Sequence, residues 1–404
     1  MTNNGLWDMQ SDAGLSYAGG SVSNFVNSST GTFRKSGGSG VTAVGNNVHF
    51  VNSGTIDAQT GTIDFAGGSA TFQGGTQFTG AGVNRVSTNA TFVDDISSAN
   101  LVLAGGVFTG GGAAAGAVLH GSTQWTGGQI LGAWQVASGQ TLVAKDGANK
   151  DFSAVGFINH GNVVWQSSER VGFASAAVVT NNGLWDVQSD ADLSYAGGSA
   201  STFVNNGTFR KSGGSGVTEV GNNVGFANNG VLQVVLGTVQ FAGNLANPGT
   251  VTGGGRVQTN VLTNSGHVAP GNGVGALYLT GSFAQTALGS LDIQLGAAGA
   301  HDLFVVTGAS SLAGTLALSC VGDCRYDVDD ELLVLSSGGA LSGTFGAVTY
   351  SGFRTGEFAV LYGDHDVRLK VLAAVTPVPE PGTWATLLAG LGLLGLLAAR
   401  RRRA

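Results

Sequence analysis

Side chains that could carry acid–base or metal chemistry are few in this sequence and widely separated. Within residues 1–268, Asp94 and Asp95 form the only adjacent pair of carboxylates. Neighbouring residues on a strand point to opposite faces, so this pair is poorly arranged for acid–base catalysis and is expected in a surface turn. The six histidines are also scattered, without metal-ligand spacing: His49, His120, His160, His267, His301 and His365. We predict no catalytic residues, no cofactor and no metal ligands, and hence no enzyme.

The densest acidic segment reads GDCRYDVDDE, from Gly322 to Glu331, and contains Asp323, Asp327, Asp329, Asp330 and Glu331. Closely spaced carboxylates suit calcium, but the spacing of an EF-hand loop is missing. We expect a solvated loop between strands, with calcium binding as the alternative. Cys320 and Cys324 stand four residues apart, so in an exported chain they can close a small disulfide loop. Free thiols are the alternative, and a zinc site would need further ligands.

The composition indicates an all-β chain built from tight turns. Glycine accounts for 70 of 404 residues and proline for 5, while 42% of the residues are hydrophobic and only 10% are charged. Small, polar and β-branched residues in this proportion are typical of β repeats. The formal net charge of −7 argues against nucleic acid as a partner.

Part of the chain is duplicated. The segment TNNGLWDMQSDAGLSYAGGSVSNFVN from Thr2 returns as TNNGLWDVQSDADLSYAGGSASTFVN from Thr180. The match continues through GTFRKSGGSGVTAVGNNV and GTFRKSGGSGVTEVGNNV after a two-residue slip. We call residues 2–89 the first copy and residues 180–260 the second copy.

A finer repeat runs through both copies, of the form apolar, x, Asn, x, Gly, x, apolar. Examples are FVNSGTI from Phe50 and FVNNGTF from Phe203, and successive repeats lie about 20 residues apart. Asn and Gly tolerate positive φ, so the pair is expected to turn the chain, with Gly207 at φ > 0. A period near 20 with strand-like content predicts a parallel β-solenoid over residues 1–268, with less regular coils between about 90 and 156.

Two features of the duplicated block are candidates for contact with a glycan. Trp7 and Trp185 occupy equivalent positions, and each alternates with a leucine. If the leucines point inward, both indoles are exposed on one side of the rod and are possible glycan contacts; the alternative buries both indoles. The basic pairs Arg34-Lys35 and Arg210-Lys211 are expected at solvated corners, with contact to an acidic polysaccharide as the alternative.

The C-terminus differs in composition from the rest of the chain and consists of three successive segments. Pro379-Glu380-Pro381 comes first, then an apolar, glycine-rich run from Trp384 to Ala399, then Arg400, Arg401, Arg402 and Arg403. Sixteen helical residues rise about 24 Å, less than a hydrocarbon core of about 30 Å, but Trp384 suits the interface and the arginines can snorkel to phosphates. The run therefore predicts a transmembrane helix, with a buried core helix as the alternative. Positive charge stays on the cytoplasmic side, so the rest of the chain faces outward.

This layout resembles the PEP-CTERM sorting signal of bacterial exported proteins. The resemblance implies that Pro379, Glu380 and Pro381 are the sorting motif, that Arg400–Arg403 set the membrane stop and orientation, and that an exosortase-type membrane enzyme is the processing partner. The protein would be anchored in the inner membrane before processing and would then reach the cell surface or extracellular matrix. Residues 1–30 show no signal peptide, so we expect that Met1 is not the true start.

Residues 269–373 have a second resemblance, to the ends of autotransporter and haemagglutinin-type passenger domains. The matching motifs are Pro270-Gly271, Leu279-Thr280-Gly281, Leu291 to Leu295, Asp302-Leu303 and Val306-Thr307-Gly308. The resemblance implies a passenger-like β-solenoid whose β-rich end caps the rod. A linker with the Pro-Glu-Pro motif over residues 374–383 and a transmembrane helix with its arginine tail over residues 384–404 complete the expected architecture.

The sequence therefore predicts an all-β, parallel β-solenoid (β-helix) with a C-terminal β cap and one C-terminal transmembrane helix. Its expected role is structural or adhesive, in a biofilm, with extracellular polysaccharide as the ligand. One alternative is a carbohydrate-active enzyme, a polysaccharide lyase or hydrolase on a β-helix, which would show a cleft with convergent acidic groups. A third is an ice-binding protein, for which aligned threonines are too sparse.

Overall fold

The structure, a computed structural model, describes residues 1–113, 116–354 and 356–375. It is an all-β parallel β-solenoid of about 14 turns. Two compact units divide the chain, Met1–Thr263 and a second that begins at Asn264. The predicted transmembrane helix, 384–404, lies outside the described residues. Across the described ranges, no helix has the length and apolar content needed to cross a bilayer.

Three ladders of parallel strands form the first unit, and the chain visits them in a fixed order, ladder 1, ladder 2, ladder 3. Ladder 1 contains Thr2–Asn3, Ser23–Asn27, Val48–Asn52, Ser69–Phe72, Ala90–Val93, Val107–Gly111, Val171–Ala174, Leu193–Gly197, Val217–Val220 and Thr238–Phe241. Ladder 2 contains Leu6–Met9, Thr32–Lys35, Thr55–Ala58, Thr76–Thr79, Val178–Asn181, Ser201–Asn205, Val224–Asn228 and Leu245–Asn247. Ladder 3 contains Val41–Val44, Thr62–Phe65, Val83–Val86, Thr141–Ala144, Asn162–Trp165, Leu184–Val187, Thr208–Lys211, Val231–Val234 and Thr250–Gly253.

Longer strands run through a corner and belong to two ladders. They are Asp95–Leu103, Ala117–Trp125, Gly128–Val136, Lys150–Asn159 and Arg256–Asn264. Four of them fall in the segment from about 90 to 160, where the Asn-x-Gly form is sparse. In this segment, bulges inside continuous strands replace the separate corners, so these coils are less regular than the others, as predicted.

Alternate side chains of each strand fill the interior, as the period of two requires. Aromatic rings stack along the axis in this core. Phe25 and Phe50 are parallel at 5.3 Å between ring centroids, and Phe203 and Phe226 at 5.4 Å. Since successive coils lie one strand spacing apart, each ring covers the next, and the apolar surface is continuous through the unit.

The two copies of the duplicated block enter this framework one ladder apart. In the first copy Thr32–Lys35 pairs with Thr55–Ala58 on ladder 2, whereas the equivalent strand Thr208–Lys211 pairs with Val231–Val234 on ladder 3. Every other strand of the second copy likewise lies one ladder further on than its equivalent in the first copy. Equivalent outer surfaces of the two copies therefore lie on different faces of the solenoid.

The Asn-x-Gly corners hold an asparagine ladder. Asn181 Nδ2 donates to Asn205 Oδ1 at 2.8 Å, and Asn205 Nδ2 donates to Asn228 Oδ1 at 2.8 Å and to the carbonyl of Val231 at 2.9 Å. The side-chain amides of Asn181 and Asn205 thus have hydrogen-bond partners inside the core, where an unpaired amide would cost about 1–3 kcal/mol. The first copy has a shorter ladder from Asn3 through Asn27 and Asn52, which ends on the hydroxyl of Thr76.

The corner glycines are required by space rather than by their backbone angles. Gly207 is not in the left-handed region, so the prediction of φ > 0 there is wrong. A Cβ on Gly207 would lie 2.2 Å from the carbonyl oxygen of Gly183 in the preceding coil. Stacked corners leave room for a hydrogen atom only, which explains glycine at this position.

The second unit continues as β-structure and contains, among its described residues, one short 3₁₀ turn, Ala297–Gly299. Its strands are His267–Pro270, Ala276–Gln285, Ser290–Leu295, Leu303–Val306, Ser310–Leu312, Thr315–Cys320, Glu331–Ser337, Leu341–Gly343, Ala347–Ser351, Phe358–Tyr362 and Asp366–Val371. Pairing with the preceding coil is parallel through Ala347–Ser351. The last two strands, Phe358–Tyr362 and Asp366–Val371, form an antiparallel hairpin that pairs with Glu331–Ser337. The hairpin covers a ladder edge that would otherwise be unpaired.

Candidate functional site

The predicted sorting residues, Pro379, Glu380, Pro381 and Arg400–Arg403, lie outside the described residues. The predicted cysteine pair lies within them: the structure joins Cys320 and Cys324 in a disulfide that closes a small loop in the second unit. The loop directly follows the strand Thr315–Cys320.

The predicted glycan-contact tryptophans do not form a shared exposed surface. Trp185 is fully buried at 0% exposure, against Phe203 at 5.0 Å, and its neighbour Leu184 faces the outer side. Trp7 is half-buried and packs edge-to-face on Phe25 at 5.3 Å. The two indoles also lie on different ladders, ladder 2 for Trp7 and ladder 3 for Trp185. The prediction of aligned, exposed indoles is therefore wrong, because the leucines occupy the outward positions.

The predicted solvated lysines are buried. Lys211 Nζ donates to the carbonyls of Ser189 and Gly213, at 2.7 and 3.1 Å, and to Asp190 Oδ1 at 2.8 Å. Lys35 makes the equivalent contacts in the first copy, and both side chains are completely inaccessible. Each ammonium group holds the loop of its own coil to the preceding one, so it is not available to an acidic polymer.

The neighbouring arginines also form internal contacts, but the two copies differ. Arg210 makes a two-point contact with Asp186, at 2.9 and 2.8 Å, and Ser212 adds a hydroxyl bond to the same carboxylate. Burial would raise the pKa of Asp186, but the bonds from Arg210, Ser212 and Gln188 outweigh it and hold the pKa below its usual value. This carboxylate is therefore ionised and structural.

In the first copy the equivalent arginine, Arg34, contacts the following coil instead of the preceding one. Arg34 Nε lies 3.3 Å from Asp57 on the following coil, and Asp8 Oδ1, the equivalent of an Asp186 oxygen, is buried without a hydrogen-bond partner among the described residues. The second copy has Gln233 where the first has Asp57. Because the following coil has no carboxylate at this position, the acidic neighbour of Arg210 is Asp186 on the preceding coil. Its contact with Asp186 is shorter than the contact between Arg34 and Asp57.

The acidic loop that follows the cysteines uses its carboxylates in local contacts. Asp323 accepts from Arg325 at 2.9 Å, Asp329 lies 3.0 Å from Lys370, and Asp330 accepts from the backbone of Asp327 at 2.9 Å. Within the described ranges, no group of three or more acidic, histidine or cysteine side chains is arranged to hold a metal ion.

One carboxyl group elsewhere in the second unit has a strongly shifted pKa. Burial raises the pKa of Asp302 to about 6, although the backbone N–H groups of Gly275 and Gln294 both donate to it, at 2.7 and 2.8 Å. The side chain is completely inaccessible and ties two strands together. Its environment is structural, because no substrate can reach it.

One groove in the second unit brings together residues that sequence spacing did not connect. His267 Nδ1 lies 2.7 Å from Asp292 Oδ2, and the hydroxyl of Ser290 contacts the other oxygen of Asp292. The surrounding cavity, of about 680 Å³, is also lined by Thr349 and Tyr350. Parallel register places these residues on successive coils, with the strand Thr315–Cys320 between Asp292 and Thr349. His267, Asp292 and Thr349 lie more than 20 positions apart in sequence, so no local motif could have revealed them.

Asp95 forms a similar but more exposed pair with His120, at 2.8 Å, while Asp94 stands at a turn with φ of 56°. Asp94 Oδ1 accepts from the backbone of Ala113, so the two adjacent carboxylates have separate partners. The expectation of a surface turn at this position agrees with the backbone.

Comparison with known proteins adds one match and one absence. No curated protein matches the chain. A family model described as the PEP-CTERM protein-sorting motif matches residues 377–403, which contain Pro379-Glu380-Pro381, the apolar run and the arginines. That motif is the recognition signal for exosortase processing, and it implies an exported protein that is anchored in a membrane before processing. The chain is a β-solenoid that carries a PEP-CTERM protein-sorting motif at its C-terminus.

Proposed function

We propose that this protein is a non-enzymatic, adhesive β-solenoid of the cell surface or extracellular matrix that binds extracellular polysaccharide. The observation that carries the proposal is the sorting motif at residues 377–403, joined to a long stack of coils whose outer faces are solvent-exposed. A rigid stack of nearly identical coils offers repeated weak contacts, and repeated contacts along a polymer gain avidity.

The charge distribution favours a weakly charged ligand. The buried lysines Lys35, Lys150 and Lys211 and the paired Arg210 are engaged inside the first unit. The net charge of −7 also works against an acidic polymer. A neutral polysaccharide, bound through hydroxyl and amide groups, fits this surface better.

The anchor is tested by changing the sorting motif. Replacing Pro379, Glu380 and Pro381 with alanine in a host that has the sorting enzyme should leave the uncleaved protein in the inner membrane. Fractionation and the mass of the C-terminus give the readout, with Leu372→Ala, an exposed residue outside the motif, as the control. Normal release of the Pro-Glu-Pro variant would contradict the proposed processing.

A binding and depolymerisation screen tests the ligand. The full chain in detergent should be retained by at least one neutral polysaccharide in affinity electrophoresis, without release of new reducing ends. Retention by no polysaccharide would contradict the proposed function.

The groove around His267 and Asp292 favours a second candidate, a carbohydrate-active enzyme. A histidine held by a carboxylate in a hydroxyl-lined groove is a candidate general base. The same screen separates the two candidates, because polymer cleavage that disappears in Asp292→Asn would establish the enzyme.

A further inference from the structure

A cavity of about 410 Å³ opens on the solvent side of the second copy, inside the first unit. Its walls are the turns 221–223 and 242–244 and the strand Val224–Asn228 between them. Its volume is in the lower part of the range of small-molecule sites. At its base lies Phe226, a core aromatic residue that is only half-buried.

The base of the cavity is packed against two further aromatic rings. Phe226 is stacked in parallel on Phe203 at 5.4 Å and is tilted against Phe241 at 5.1 Å. The outer turn is held from the following coil, where Thr259 Oγ1 and the backbone of Asn260 both donate to the carbonyl of Gly243, at 2.6 and 3.0 Å. A preformed site of this kind loses little conformational entropy on binding.

At the equivalent place the first copy has a smaller cavity, of about 300 Å³, which is lined by His49, Ser69, Ala70 and Thr71 and by no phenylalanine ring. Phe50, the equivalent of Phe226, is completely buried. Two sequence differences accompany the change: Gly225 replaces His49, and the segment FAGNLAN in the second copy is one residue shorter than FAGGSATF in the first. The strand after the turn shortens from Ser69–Phe72 to Leu245–Asn247, so the second copy exposes part of a ring that the first copy covers.

The polar groups around the ring are uncharged. The side chains of Asn222, Asn223 and Asn244 are exposed at the rim, and among the described residues they have no hydrogen-bond partner in the protein. Ser201 and Thr202 also line the cavity, although the hydroxyl of Ser201 accepts from the backbone N–H of Ala177, and no charged side chain of the described chain lines it. Amides and hydroxyls that surround an aromatic edge match a sugar ring, whose hydroxyls need partners and whose C–H face is apolar.

We propose that this cavity, the Phe226 notch, is a binding subsite for a neutral pyranose unit of a polysaccharide. The inference rests on the proposed polysaccharide-binding function and assigns one contact point to it. The sugar packs against Phe226 and accepts and donates hydrogen bonds with the three asparagine amides.

The test compares matched variants of the two copies in the full chain. Phe226→Leu keeps an apolar core residue but removes the ring, and it should weaken retention by neutral polysaccharide about tenfold. Phe50→Leu makes the same change where the ring is covered and should leave retention unchanged. Asn222→Ala should weaken retention severalfold, and Asn46→Ala, its equivalent in the first copy, should not.

A third variant blocks the notch without touching the core. A Cβ on Gly225 would meet no atom closer than the carbonyl oxygen of Ser201, at 3.7 Å. Gly225→His, which restores the residue of the first copy, should therefore fold normally and reduce retention. The probes are soluble glucan, xylan and galactomannan, with alginate as an acidic counterpart.

The outcomes separate the two proposals. Equal retention of Phe226→Leu and Phe50→Leu by a neutral polymer, or retention by alginate alone, would overturn the notch and leave the function standing. No retention of the unmodified protein by any polymer would overturn both. Selective loss in Phe226→Leu, Asn222→Ala and Gly225→His would support the subsite.

Discussion

The first and second copies have nearly the same sequence, but their equivalent strands belong to different ladders and their buried polar groups are paired to different extents. The second copy contributes to a ladder of five asparagines, from Asn159 to Asn247, while the ladder of the first copy ends at Thr76 after three. The second copy has a fully paired Asp186, whereas the first leaves an oxygen of Asp8 without a partner among the described residues. The residues that the neighbouring coils supply therefore decide how fully the same side chains are paired.

The tryptophan pair gives the largest expected contrast. Trp185→Ala removes a completely buried indole and should lower the free energy of unfolding by about 3–5 kcal/mol. Trp7→Ala removes a half-buried indole with fewer neighbours, so its loss should be about half as large. Chemical denaturation followed by circular dichroism measures both values. Equal losses would show that the two indoles contribute equally to stability, and would contradict this prediction.

The corner glycines should give a smaller difference in stability, again with the larger loss in the second copy. Gly207→Ala places a Cβ against the carbonyl of Gly183 and should cost about 1–3 kcal/mol. Gly31 is its equivalent in a corner two residues longer, and there the nearest backbone atom is the carbonyl oxygen of Asn3 at 2.6 Å, against 2.2 Å at Gly207. We therefore expect less destabilisation for Gly31→Ala.

The control for this pair is Gly156→Ala, because a Cβ at Gly156 meets nothing within 4 Å. Thermal unfolding of the three variants decides the order. A larger shift for Gly31→Ala than for Gly207→Ala would contradict the role given to corner length.

The acid dependence should show the smallest difference. Because the folded-state pKa of Asp186 is lowered, its contribution is fully present above its usual pKa near 3.9 and is lost as the pH falls through the folded-state value. Asp186→Asn should therefore cost about 1–2 kcal/mol at pH 7 and progressively less in acid. Asp8→Asn, without a two-point arginine contact, should change stability less at pH 7.

Hydrogen exchange of the strand Leu184–Val187 at pH 7 and pH 3 gives the readout, with Leu6–Met9 as the internal comparison. If Asp186→Asn stays equally destabilised at both pH values, the ionised carboxylate is not the source of the effect.

The sequence predicts the parts of this fold that depend on local pattern. Alternating apolar residues and the Asn-x-Gly period predict the strands and the stack of coils, and the tail motif predicts the sorting signal. The side-chain environments at Lys211 and Trp185 could not be predicted in this way. Whether a residue faces in or out depends on where the strand starts relative to its corner, and a shift of one residue reverses every side chain.

The Phe226 notch and the pair His267–Asp292 show a second limit. Both depend on register between coils, which places residues far apart in sequence beside one another. A pattern in one coil contains no information on how the next coil is offset. A one-residue deletion such as that in FAGNLAN is visible in the alignment of the copies, and it was the available signal for the notch.

The displacement of the two copies by one ladder shows how such a chain can lengthen. Asn27 and Asn205 turn the same kind of corner at two different edges of the stack, so the edges are interchangeable. The building block of growth is then one strand with its corner, and not a complete turn. A gene segment that encodes any whole number of such blocks can be inserted without breaking the winding, and each insertion that is not a multiple of three rotates everything downstream to a new direction.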